Sequence, residues 1–124
     1  MMQGSVNARL EAKFRLTLIG PTGIRQDVDA VIDTGFTGSL TMPTPVIAAL
    51  ALVRRSSGTA TLGDGSTCNY DNFAAEVEWG GIARGVVVSA IGNEVLIGMT
   101  LLTGHRLIVD VEDAGSVEVR PLRP

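Results

Sequence analysis

The run Val28-Asp29-Ala30-Val31-Ile32-Asp33-Thr34-Gly35-Phe36-Thr37-Gly38-Ser39-Leu40 joins an apolar, β-branched stretch to a loop rich in glycine and hydroxyl residues, with an aspartate at the junction. Ile24, Val28, Ala30 and Ile32 fall on one face of an extended chain, so this segment reads as a strand that ends at Asp33. Immediately upstream, polar and apolar residues alternate from Arg9 to Thr17. Leu10, Ala12, Phe14, Leu16 and Leu18 share one face, and Arg9, Glu11, Lys13, Arg15 and Thr17 share the other. Gly20-Pro21-Thr22-Gly23 separates the two runs and supplies turn chemistry, which makes them a hairpin leading straight into Asp33.

Downstream, Thr44 to Leu50 reads as a short helix, with Thr44 as its N-cap and Pro45 at the first helical position. Its faces are almost all apolar, so burial is expected. Thr59 to Leu62 and Thr67 to Trp79 flank Gly63-Asp64-Gly65-Ser66, in which the glycines permit positive φ and the Asp-Gly pair favours a tight tip. A long projecting hairpin is expected there. Val86-Val87-Val88 lies in a segment, Ile82 to Ile91, that reads as a buried strand. Leu96-Ile97-Gly98 precedes a helical turn from Met99 to Thr103, and Arg106 to Val111 and Ser116 to Val119 read as closing strands. Short strands at regular spacing, without a linker or repeat, imply one all-β domain over residues 1–124, a barrel or a sandwich.

Composition agrees and narrows the function. At 124 residues the chain is long enough to bury a core without disulfides or metals. Its aromatic residues are confined to Phe14, Phe36, Phe73, Tyr70 and Trp79, leaving Val, Ile, Leu and Ala to fill that core, a bias that favours strands. A net charge of -3 and the absence of a Lys/Arg cluster beyond Arg54-Arg55 argue against nucleic acid and anionic membranes as partners. Cys68 is the single cysteine and His105 the single histidine, so one chain offers neither a disulfide nor a Cys/His zinc site. No apolar run is long enough to span a bilayer, and the N-terminal segment lacks the apolar core of a signal peptide. A cytoplasmic protein without cofactor or metal is the expectation.

The chemistry is legible at Asp33. Water attacks an amide when one group takes its proton and another protonates the carbonyl oxygen, and two apposed carboxylates sharing one proton do both. Such a carboxylate needs a sharp loop at a strand end, a small hydroxyl residue beside it and a glycine that admits a neighbouring backbone. Asp33-Thr34-Gly35 has that form. The tripeptide alone is weak, but with its preceding strand, Phe36-Thr37-Gly38 after it and Leu96-Ile97-Gly98 further on, the chain resembles the retropepsin-like aspartic proteases, especially their small bacterial members.

The resemblance covers nearly the whole chain in order. It implies a small closed β-barrel with one or two short helices, acting as a homodimer that hydrolyses peptide bonds. Asp33 is then the catalytic carboxylate, Thr34 braces the two active-site loops across the dimer, and Gly35 completes the loop. Gly63, Asp64 and Gly65 form the flap over substrate, and Ile97-Gly98 packs beneath the loop. Residues 1–7 and 120–124 join the dimer interface. Because the chain carries one such motif, the second carboxylate has to come from a twofold-related copy. Phe36 departs from the viral pattern, which has a small residue after the glycine. Its ring either lines a substrate pocket or supports the loop from below, since it offers no hydrogen bond to the carboxylate.

Plainer readings stand beside these. Asp33 can cap a turn through its own side chain, and the 63–66 segment can be an ordinary hairpin tip. His105 reads as a surface or helix-terminal residue, Cys68 as a strand thiol, and Asp110, Glu112 and Asp113 as a solvated turn lacking calcium-loop spacing. The rival functions are a non-catalytic, dimeric peptide-binding module of the same fold and an unrelated structural β-domain.

Overall fold

The computed structural model describes residues 2–123. In chain order it contains β1 (Met2–Val6), β2 (Ala12–Ile19), β3 (Arg25–Ile32), β4 (Leu40–Thr41), α1 (Thr44–Ala49), β5 (Val53–Thr61), β6 (Thr67–Trp79), β7 (Ile82–Ser89), β8 (Leu96–Ile97), α2 (Met99–Leu102), β9 (His105–Val109) and β10 (Ser116–Pro121). The protein is thus mostly β with two short helices, as its composition implies.

The expected hairpin is β2 and β3, antiparallel from Lys13↔Val31 to Ile19↔Arg25. Phe14, Leu16 and Leu18 turn inward from β2 and Ala30 and Ile32 from β3, while Arg15 stays outside over Asp27 and Asp29. The alternation does not extend back to Leu10. Asn7 Oδ1 accepts the N–H groups of Arg9 and Glu11, at 3.1 and 2.9 Å, and Leu10 is held at φ 62° in a turn with its side chain exposed. Local side-chain capping overrides the periodicity there. Ile24 likewise lies outside β3 and is exposed.

All ten strands belong to one sheet, ordered β5-β6-β7-β4-β8-β3-β2-β1-β10-β9. The sheet curls enough for the end of β2 to meet β6 at Leu18↔Val77 and Ile19↔Glu76. Among the described residues the strands nevertheless do not close into one barrel, because β5 and β9 each pair on one side only. The terminal segment β1 is inserted between β10 and β2 of its own chain (Met2↔Val119, Ser5↔Lys13), so both of its edges are taken within the chain.

One contiguous core lies inside the curl, with Leu16, Leu18, Leu40, Met42, Leu50, Val77, Val88, Ile97, Leu101, Val117 and Val119 at or near zero exposure. Two expectations fail at its margin. Pro43, not Thr44, is the N-cap of α1, with no side-chain cap, and only Ile47 of that helix is buried. Val46 packs against the core while partly exposed, and Ala48 and Ala49 face out. The valine run in β7 is not buried throughout: Val88 is inside, whereas Val87 is 54% exposed, because successive side chains of a strand point to opposite faces.

Candidate active site

Asp33 is the first residue after β3, and its position is fixed by backbone. Val31 and Ile32 pair in parallel with Leu96 and Ile97 of β8, and the Asp33 N–H extends the ladder to the Ile97 carbonyl at 2.9 Å. The chain then loops through residues 33–39 and returns as β4 on the other side of β8, antiparallel to it at Leu40↔Ile97 and Thr41↔Leu96. The loop therefore straddles the end of β8. Buried Thr41 locks the return, donating to the Glu94 carbonyl at 2.9 Å and accepting the Leu96 N–H at 3.0 Å.

The same loop caps α2. Met99 and Thr100 donate their N–H groups to the Phe36 and Gly38 carbonyls at 2.8 and 3.1 Å, Gly98 donates to Ser39 at 2.9 Å, and the Thr100 hydroxyl bonds the Thr37 carbonyl. These donors are the ones a helix start leaves without partners, so the short helix and the loop satisfy each other. No side chain caps α2. A β-carbon at Gly98 would lie 2.1 Å from the Gly38 oxygen and 2.5 Å from the Phe36 ring, which shows why this position has none.

Within this frame one Asp33 carboxylate oxygen accepts the Gly35 N–H at 2.9 Å, and the carboxylate is half-buried. Thr34 and Gly35 are exposed beside it. The Phe36 ring lies over Gly38 and Gly98; a β-carbon at Gly38 would fall 2.5 Å from its Cζ. The ring thus packs against its own loop and the start of α2. Asp33, Gly35, Phe36, Ile97 and Gly98 are brought together, and Gly38, Ser39 and Thr100, which sequence reasoning had assigned no role, complete the clamp.

Gly63, Asp64 and Gly65 stand apart at the exposed tip of the β5–β6 hairpin. Gly65 takes φ 85°, and a β-carbon at Gly63 or Gly65 would meet nothing within 4 Å. The tip is closed by Leu62 N–H to the Ser66 carbonyl at 2.7 Å and by Asp64, whose carboxylate accepts both the Ser66 N–H and hydroxyl. Those two Ser66 bonds hold the Asp64 pKa below its ordinary 3.8. At the base of the hairpin Arg54 and then Ser57 lower the Asp71 pKa in the same way, tying β5 to β6.

His105 is half-buried and placed between Trp79 and Thr103. Its Nε2 accepts the Trp79 indole N–H at 3.2 Å, and its Nδ1 lies 3.0 Å from the Thr103 carbonyl. That pairing suits a packing role rather than a base at Asp33. Cys68 is a half-buried thiol on β6. Ser116 donates to Asp110 within an exposed turn. Among the described residues no group of three His, Cys, Asp or Glu side chains is arranged to hold a metal ion, and no helix is long and apolar enough to cross a membrane.

No protein-family model matches the chain, and no curated protein matches it.

Proposed function

We propose that the chain is one subunit of a homodimeric aspartic endopeptidase of the retropepsin-like type, in which Asp33 from each subunit contributes one carboxylate to a shared site. The observation that carries this reading is the clamp at Asp33. A half-buried carboxylate stands at a strand end, oriented by the Gly35 N–H, on a loop pinned by β8 and α2. Catalytic groups are effective when rigid elements hold them in place.

A single carboxylate cannot serve both water and carbonyl oxygen. A twofold axis beside exposed Thr34 and Gly35 brings a second copy into reach, and the two carboxylates share one proton. One activates water, the other protonates the carbonyl oxygen, and their roles exchange as the tetrahedral intermediate collapses. An extended peptide lies across the dimer, covered by the projecting β5–β6 hairpin.

Phe36 favours one alternative, a dimeric module that binds peptides without cleaving them, because its ring gives the carboxylate no hydrogen bond. Cleavage of an unbiased peptide library from acid to neutral pH separates the two. Proteolysis that is lost in Asp33→Asn and blocked by a statine-type inhibitor supports the enzyme. Peptide binding retained in both proteins, without cleavage in either, supports the module.

A further inference from the structure

A groove of about 400 Å³ opens beside the Asp33 loop, walled by Ala74 and Ala75 of β6, Gly85, Val86 and Val87 of β7, and Ser39 and Thr100 of the clamp, with Arg84 at one end. It is shallow and open to solvent. Half of the lining residues are alanine or valine, and Arg84 is half-buried among them. Among the described residues no carboxylate lies within ion-pair distance of its guanidinium; Arg9, Arg55 and Arg106 also have none but are exposed, whereas Arg84 is half-buried. A single N–H donates to the Leu101 carbonyl, at a long 3.4 Å. A guanidinium carries five donors and remains charged, so most of its capacity is unspent where water is partly excluded.

We infer that this groove is a substrate subsite for an acidic side chain, with Arg84 receiving the carboxylate and the alanine and valine walls covering its aliphatic stem. The assignment rests on the peptidase reading, since the groove is continuous with the loop that presents Asp33: Thr100 bonds both Thr37 and Gly38. Charge complementarity selects the occupant. An apolar side chain fills the walls but leaves the cation unpaired, and a basic one is repelled by it.

The test is binding of paired peptides that differ only in Glu against Gln, measured by fluorescence anisotropy on full-length Asp33→Asn protein, with cleavage of the same pairs by the native chain. Each peptide pair places the residue at a different distance from the cleaved bond. The expected result is about tenfold tighter binding of the Glu peptide at one such distance, falling to parity in Arg84→Gln and partly retained in Arg84→Lys. Equal binding of Glu and Gln at every position, or a preference that survives Arg84→Gln, overturns the assignment. Glu-selective binding without cleavage by the native chain keeps the groove and removes the peptidase reading; cleavage indifferent to Glu removes the groove alone.

Discussion

Gly98 and Phe36 set the working geometry of the Asp33 loop at the level of single residues. Gly98→Ala forces a methyl into backbone oxygen that cannot rotate away. It is expected to cost about 1–3 kcal/mol in urea unfolding and to lower activity, because the displaced Phe36 and Gly38 carbonyls belong to the loop that presents Asp33. Phe36→Ala removes a half-buried ring from between two glycines and is expected to cost about 2 kcal/mol, below the loss from a fully buried phenylalanine. Phe36→Leu restores part of it. Both readings of Phe36 were open in the sequence, since nothing in Asp33-Thr34-Gly35-Phe36 says where a ring will fold. The contacts with Gly38 and Gly98 place it beneath the loop. Asp33 itself was legible because strand periodicity stops at that residue, whereas the role of Ser39 and Thr100 as clamp was hidden. Their partners are backbone carbonyls, which leave no pattern in a sequence.

Among the elements, the β5–β6 hairpin was plain from its Gly-Asp-Gly-Ser tip, and its pH response follows from the tip's hydrogen bonds. The Asp64 carboxyl is held below its ordinary 3.8 by Ser66, so its folded-state pKa is lower than its unfolded one. The resulting stabilisation is fully present above the unfolded value and is lost as pH falls through the lower folded value. Carboxyl NMR titration is expected to place Asp64 below 3.8, and Ser66→Ala to raise it towards that value; an unchanged titration in Ser66→Ala contradicts the assignment. Helix boundaries were less legible. Thr44 has the chemistry of an N-cap, yet Pro43 occupies the position, with φ -69° and ψ 148° already suited to it. The β7 valines show the reverse failure: β-branching identified a strand but could not say that Val87 faces out. Hydrophobicity counts residues, whereas facing is decided by pairing partners that lie far away in the chain.

Across the whole molecule, most of what the sequence left open is long-range pairing. The parallel contacts of β3 with β8 and of β4 with β7, and the meeting of β2 with β6, join segments with no shared local signal. A closed barrel was therefore expected where the structure has a curled sheet with two open edges. Within the chain β1 pairs on both sides, with β10 and β2. In the proposed homodimer, exposed Thr34 and Gly35 beside Asp33 are the residues expected to meet the second copy. Thr34→Val, which preserves shape and removes the hydroxyl, is expected to weaken the dimer by about tenfold in sedimentation equilibrium, with the fold unchanged by circular dichroism.

Two Asp33 carboxylates from two chains in one site is the central claim, and subunit mixing tests it most directly. Native protein and Asp33→Asn protein are combined at fixed total concentration, allowed to exchange, and assayed on a cleaved peptide. Because only native pairs carry both carboxylates, an equal mixture is expected to retain about one quarter of the all-native rate, following the square of the native fraction. A rate of about one half, falling linearly with the native fraction, would show that each chain works alone and would contradict the shared site.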